Sequence, residues 1–299
     1  MGSITYITIV EGQQGLRLDQ ALVCSYQGLS RTKVQQMIDL GKVTVNGIIE
    51  KKRYVVALGD TIAFEPQIEE PLHVKAESMD FEIVYEDKWL FVVNKPPGLV
   101  VHPAPGNRSG TFANGLVAHC GEISSDDPVR PGIVHRLDKE TSGVLIAAKN
   151  QAIVQALSGQ FHDREVEKEY FAIVVGEMKQ EQVVSASIGR HPKQRKKMAV
   201  VEGGKEAKTR FLPLKVANGY TFVKAIPYTG RTHQIRVHVA ELGFPILGDA
   251  LYGQRRGVGR QMLHCSKIGC VHPMKQEKML FTASLWGDMQ KVCAELGLA

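Results

Sequence analysis

The chain has 299 residues, 43% of them hydrophobic, and 37 lysines and arginines against 31 acids give a net charge of +6 and a pI near 9.0. A chain of this length can bury one sizeable core and a second, smaller one, so two domains are expected. Its longest apolar runs are a few residues against the roughly 20 of a bilayer span, which excludes a membrane protein, and MGSITYITIVEGQQG lacks the basic and apolar regions of a secretory signal. Five scattered cysteines, an odd number in a chain too long to need staples, point to reduced thiols in a cytoplasm.

Residues 1–65 read as one unit. Leu16, Leu18, Ala21 and Leu22 have the spacing of a short amphipathic helix, and Ser30 can cap a second whose apolar stripe is Val34, Met37, Ile38 and Leu40 before Gly41. KVTVNGIIEKKRYVVALGDTIAFE then alternates and turns at Asn46-Gly47, a hairpin signal. This unit resembles the S4 RNA-binding domain, two helices on a small sheet, which implies that basic side chains such as Arg31 and Lys33 face RNA. Charge adds nothing to that, since seven basic and six acidic residues leave the unit near neutral. Residues 66–79, with Pro71 and three glutamates, read as a linker, and the second domain covers 80–299.

The second domain opens on a predicted hairpin, FEIVYEDKWLFVVNKP, turning at Glu86 to Lys88. In NKPPGLVVHP the prolines and Gly98 shape a rigid wall, and Lys95 and His102 read as structural. The stretch that carries the chemistry is Ile133 to Asn150, IVHRLDKETSGVLIAAKN, whose apolar ends and charged middle predict strand, loop, strand. The loop packs His135, Arg136, Asp138, Lys139, Glu140, Thr141 and Ser142 ahead of Gly143, which allows the sharp backbone geometry needed to re-enter a strand. A charged loop held between core strands is where a rigid scaffold carries catalysis. Asn150 can cap a helix with Ile153, Leu157 and Phe161 on one face, and VEKEYFAIVVG is a strand bearing Tyr170.

Next comes the segment that holds all the excess charge. Between Ser187 and Lys215 nine basic residues, among them Arg195, Lys196 and Lys197, face only Glu202 and Glu206, while the rest of the chain has 28 basic residues against 29 acidic. That is the footprint expected on a polyanion, although a solvated loop has the same composition. YTFVKAIPYTG then reads as a strand running into a helix, GRTHQIRVHVAELG, with Ile235, Val239 and Leu242 buried and Arg231 at its start; MLHCSKIGCVHP and KMLFTASL read as tail strands. VEGGKEAKT fails as a phosphate loop because Glu206 stands where Ser or Thr is required. His264, Cys265, Cys270 and His272 do not have a recurring zinc spacing, and His233 and His238 lie on different faces of a helix, so no metal site is expected.

HRLDKETSG resembles the catalytic signature H-R-L-D-x-x-T-S-G of the RluA family of RNA pseudouridine synthases, with every fixed position present. NKPPGLVVHP, the Lys168-x-Tyr170 pair and FPILGDALYG are also similar to family segments, so the resemblance covers nearly the whole chain. It implies an α+β protein, a small N-terminal α/β S4-like domain followed by a larger synthase domain with a mixed, mainly antiparallel sheet flanked by helices. The implied reaction breaks the N1–C1′ bond of a uridine and rejoins the uracil through C5. Nothing is added or removed, so no redox cofactor, nucleotide or metal is expected.

The same resemblance assigns roles. Asp138 is the nucleophile or stabilising anion at C1′; to stay ionised in an enclosed site it needs a fixed cation, and Arg231 is taken as that cation. Arg136 fills the space left by the flipped base, and Tyr170 stacks on the extruded uracil and helps remove a proton. His135 orients the loop, and Arg195, Lys196, Lys197, Arg31 and Lys33 complete the substrate-binding set. The front domain, HPAPGN and VRPGIVHRLD look most like the RluD-type branch, implying large-subunit ribosomal RNA as the partner of a monomeric cytoplasmic enzyme. Two alternatives stand beside this: a catalytically silent RNA-binding protein, and a nucleobase glycosylase. The second commonly needs another carboxylate, and Glu140, two residues from Asp138, is expected to point elsewhere.

Overall fold

In the first unit the apolar spacing produces β1 (Thr5–Thr8), α1 (Leu18–Ser25), α2 (Arg31–Asp39), β2 (Val43–Val45), β3 (Ile48–Ile49) and β4 (Thr61–Phe64). The structure is a computed structural model that describes residues 4–26, 29, 31–66, 74–104, 106–121, 123 and 125–299. It divides into two units, 1–72 and 73–299. The first has a wholly antiparallel sheet in the order β1-β4-β2-β3. Asn46 and Gly47 both take positive φ, +51° and +81°, the conformation that a two-residue hairpin needs to match strand twist. Leu18, Leu22, Val34, Met37 and Ile38 pack on Val43, Val45, Ile62 and Phe64. Leu40, expected in that stripe, is 72% exposed: two residues beyond Ile38 is about 200° around the helix, away from the sheet. The edge strand β1 was not anticipated, and Ser30 lies outside the described residues.

The expected linker also lies partly outside them. Its last residues belong to the second unit, since Asn114 donates to the Lys75 carbonyl at 2.9 Å and accepts from Glu77 N–H on its own carbonyl at 3.1 Å.

The second unit contains β5 (Ile83–Glu86), β6 (Leu90–Lys95), α3 (Phe112–Cys120), β7 (Ser142–Ala148), α4 (Gln151–His162), β8 (Glu167–Val175), β9 (Gln182–Ser185), β10 (Ile188–Arg190), β11 (Met198–Val200), β12 (Lys208–Ala217), β13 (Tyr220–Pro227), α5 (Gln234–Glu241), β14 (Leu263–Val271), β15 (Lys278–Thr282) and α6 (Gly287–Glu295). Nine strands form one sheet in the order β5-β6-β7-β14-β8-β13-β12-β9, with β15 added on β14. Only the β7–β14 pair is parallel among the described strands, so the sheet is mixed and mainly antiparallel, as the resemblance implies. Strand alternation sorts the side chains between two layers. Ala172, Val174, Val223 and Ala225 pack against Ile235 and Val239 of α5. Phe171, Ile173 and Phe222 pack with Met289 and Cys293 of α6 on the other side. The Asn150 cap is present, its Oδ1 accepting from Ile153 N–H at 3.1 Å.

The incoming limb of the charged loop is not the strand expected. Ile133 makes one bridge to Ala147, and two residues later the His135 ring takes the Ile146 N–H on Nε2 at 2.9 Å. A side chain thus satisfies the donor that a paired strand would have satisfied, which lets the backbone leave the sheet. On the outgoing limb, Gly143 has φ +112° and a Cβ there would run into the Cys265 carbonyl, so β14 can approach β7 only over a glycine.

Candidate active site

The loop from His135 to Ser142 is held from several sides. His135 stacks on Phe161 with ring centroids 4.7 Å apart, and burial pushes its imidazole down to about 3. The ring is therefore neutral and serves as an acceptor for the backbone, which fits orientation and not proton transfer. Lys95 is fully buried, and its ammonium donates to the carbonyls of Pro96, Leu99 and Lys139 at 2.7, 3.0 and 3.1 Å. Three protons meet three acceptors, so the structural reading of Lys95 holds and its function is to pin the residue after Asp138. Burial draws it down to about 7, with the nearby Arg260 adding to the effect. Arg260 Nη1 donates to the Glu140 carbonyl at 3.1 Å and Gln261 Nε2 to Thr141 Oγ1 at 2.7 Å.

So held, the loop forms one wall of a cavity of about 540 Å³. Its lining includes His135, Arg136, Asp138, Lys168, Tyr170, Arg231, His233 and Arg236, and Asp138 is the one acid among the described lining residues. A volume in the 300–1,000 Å³ range suits a nucleoside-sized ligand. Arg136 is exposed, with Nη1 3.5 Å from Nε2 of buried His102, whose own Nδ1 is 3.1 Å from the Pro103 carbonyl. Tyr170 and Lys168 project from the same face of β8. Burial, then the Cys265 thiol, then Asp138 hold the Tyr170 phenol well above its ordinary value. It is a neutral ring, suited to stacking and poorly suited to accepting a proton.

The cation at Asp138 is Arg236, not Arg231. Arg236 Nη1 donates to Asp138 Oδ2 at 2.8 Å, while Nε and Nη2 form a fork on Asp249 at 2.7 and 2.9 Å. Asp249 is fully buried and Arg236 nearly so. Burial would raise Asp249, yet the guanidinium and the N–H groups of Leu251 and Tyr252 hold it below the usual carboxylate range. Burial likewise disfavours charge on Arg236, and the two carboxylates more than offset that. Arg231 lines the same cavity, but its Nε donates to the Glu206 carbonyl at 3.1 Å. The reason is positional. Arg231 precedes α5, where the Gln234 side chain accepts its N–H at 3.0 Å and also the Thr229 hydroxyl at 2.6 Å. One turn into the helix, Arg236 sits among residues buried from Gln234 to Val239 and faces the loop. An arginine and a histidine inside the buried run Ile235-Arg236-Val237-His238-Val239 could have signalled this, because a charge in a buried run must be paired.

The other expected contacts are dispersed. Arg195 and Lys196 are exposed on the turn joining β10 to β11, Lys197 is half-buried beside it, and none of the three lines the cavity. In the first unit Arg31 is bonded to Asp19 Oδ2 at 3.3 Å, sharing that buried carboxylate with Arg17 and Gln35, so part of its function is structural. Lys33 is half-buried on α2. His264 bonds Ser142 Oγ at 3.0 Å and His272 bonds Asp87 at 2.9 Å, so both histidines serve the fold. Among the described residues no helix is long and apolar enough to cross a membrane.

A profile described as RNA pseudouridylate synthase matches residues 89–241, and an S4 domain profile matches 16–62. The chain belongs to the RNA pseudouridylate synthase family. It is 43% identical over 294 residues to an RNA pseudouridine synthase of Bacillus subtilis, covering 97% of each chain. It is 39% identical to the ribosomal large subunit pseudouridine synthase D of Yersinia pestis, covering 94% of this chain and 91% of that protein. Among solved structures it is similar to human RNA pseudouridylate synthase domain containing 4, with a TM-score of 0.57, 26% identity, and coverage of 72% of this chain and 92% of the other. The protein is thus an RNA pseudouridine synthase with an S4 domain, and its family segment contains both the charged loop and α5. Sequence reading of this synthase missed Arg236 and Asp249, the support for the one acid in the cavity.

Proposed function

We propose that this synthase isomerises uridines of large-subunit ribosomal RNA, with Asp138 as the carboxylate that acts on the ribose. One observation carries the reading. Asp138 stands in a nucleoside-sized cavity with Oδ2 tied to Arg236, while Oδ1 has no hydrogen-bond partner among the described residues. That free oxygen can meet C1′ as the N1–C1′ bond breaks and its electron pair leaves with the uracil. The uracil then turns, C5 bonds to C1′, the C5 proton departs and N1 takes one up, so atoms and charge balance without a cofactor. Arg236 aims the carboxylate through its Nη1. Arg136, exposed at the cavity, occupies the place of the extruded base, Tyr170 stacks on the uracil, and Arg195, Lys196 and Lys197 bind phosphates.

A glycosylase commonly uses a second acid for proton transfer, and Glu140 does not line the cavity. The ribosomal target is supported by the relatives named ribosomal large subunit pseudouridine synthase D, which span nearly the whole chain. A cytoplasmic setting is supported by five free cysteines. The test is tritium release from uridine-5-³H transcripts of large-subunit RNA by Asp138→Asn, which keeps size and removes charge. Loss of release with RNA binding retained is expected; retained release refutes the assignment. Free uracil as a product would revive the glycosylase, and mapping pseudouridines in cells with and without the protein tests the target.

A further inference from the structure

A chain of contacts leads from the basic hairpin to Asp138 that the reaction as derived above does not use. Met198 follows Lys197 directly, and its N–H donates to the Tyr252 phenol oxygen at 2.8 Å. That same phenol is 2.9 Å from His233 Nδ1. Because the phenol oxygen already accepts from Met198, its own proton is satisfied by donation to Nδ1, which places the imidazole hydrogen on Nε2. Nε2 in turn faces Asp138 Oδ2 at 3.8 Å, about 0.9 Å longer than a hydrogen bond.

Tyr252 touches the other supports of the carboxylate too. Its ring lies 5.1 Å from the Arg236 guanidinium and 6.0 Å from Lys197 Nζ, and its N–H donates to Asp249 at 3.1 Å. His233 is held in left-handed backbone, φ +57°, a conformation that a non-glycine residue keeps only under restraint from its surroundings. The Tyr252 side chain therefore contacts the hairpin, His233 and Arg236, and its backbone N–H adds the contact to Asp249.

We propose that Tyr252 is a positioning residue that couples the basic hairpin to the catalytic carboxylate. RNA backbone seated on Arg195, Lys196 and Lys197 shifts the already bonded Met198, Tyr252 and His233 as a unit, so that Nε2–H closes the 3.8 Å gap to Asp138 Oδ2 and fixes Oδ1 toward the sugar. The inference rests on the functions of Asp138 and the hairpin proposed above. It makes turnover conditional on RNA along the hairpin, so a bare uridine that fits the cavity leaves the carboxylate half-set.

The experiment uses Tyr252→Phe in the full chain, which keeps the ring and removes only the hydroxyl. Turnover of a large-subunit RNA transcript should fall about three- to tenfold, the size of one neutral hydrogen bond, with KM within about twofold. A hairpin variant carrying Arg195→Gln, Lys196→Gln and Lys197→Gln should lose kcat as well as raise KM. Adding Tyr252→Phe to it should lower kcat by less than about twofold more, because both act through one contact chain. Wild-type kcat for Tyr252→Phe, a loss confined to KM or thermal stability, or losses that multiply in the combined variant would each overturn the coupling. A second measurement does not depend on turnover: the imidazole ¹³C and ¹⁵N shifts of His233 should report the Nε2–H tautomer in the wild type and a shift toward Nδ1–H in Tyr252→Phe, and an unchanged tautomer overturns it. Activity in Asp138→Asn would instead defeat the reading of Asp138. An inactive Asp138→Asn beside an unaffected Tyr252→Phe defeats the coupling alone.

Discussion

Replacing Arg236 by lysine tests the electrostatic core of the site while keeping the charge. The guanidinium spans two carboxylates with three charge-assisted bonds, one to Asp138 and two to Asp249. An ammonium is a point charge with no fork and serves one acid at a time. Asp249 is fully buried and holds the larger claim, so the lysine should remain there and release Asp138. At least one charge-assisted bond of about 1.5–3 kcal/mol is lost. A net loss near 2 kcal/mol would lower the melting temperature by about 4–8 °C for a domain of this size. Turnover should fall further, by about 10²–10³, the effect of removing one preorganised donor from a reacting centre. Thermal denaturation and tritium release on the same preparation separate the two effects. Arg231→Lys, whose Nε donates to a carbonyl and to no carboxylate among the described residues, should cost far less in both. Wild-type turnover for Arg236→Lys, or a larger loss for Arg231→Lys, refutes the assignment of the cation.

Gly143→Ala should destabilise the synthase domain by at least about 1–3 kcal/mol from backbone strain alone, and by more because the added carbon meets the Cys265 carbonyl; a wild-type melting curve would show that β7 and β14 can separate freely. Burial holds His135 near 3 and His264 near 4, so both are neutral in the fold and take up protons on unfolding. Their stabilisation is complete above the unfolded imidazole value of about 6.5 and is lost as pH falls toward the folded values, at about 1.4 kcal/mol per pH unit for each group. Urea midpoints should therefore fall from pH 7 to pH 4.5, less steeply in His135→Asn, and parallel profiles would contradict the burial argument. Neutralising Arg195, Lys196 and Lys197 together should flatten the slope of log affinity against log salt by about 2–3; an unchanged slope would assign those charges to solvent.

Much of this architecture is local and therefore readable along the chain. Asn46-Gly47 specifies a hairpin because both positions need positive φ, Asn150 specifies a helix start because its side chain meets a free N–H, and alternation in β8 and β13 specifies two packed faces. The cavity wall from His135 to Thr141 was legible for the same reason, as contiguous residues bounded by apolar segments. The helices α3 and α6 were not read: FANGLVAHC is interrupted by Asn114 and Gly115, while the stripe Met289, Val292, Cys293 and Leu296 of α6 was legible at helical spacing and was missed.

What sequence alone determined is the chemistry available: two acids, Asp138 and Glu140, and an arginine in one charged loop, an aromatic on the next strand and a basic segment downstream. Which arginine serves that acid was decided by tertiary structure. Arg231 and Arg236 lie five residues apart around the start of α5, and nothing local ranks them. Packing does, because α5 carries Arg236 into a buried position between Asp249 and Asp138, where an unpaired charge of either sign would be costly, and leaves Arg231 bonded to the Glu206 carbonyl.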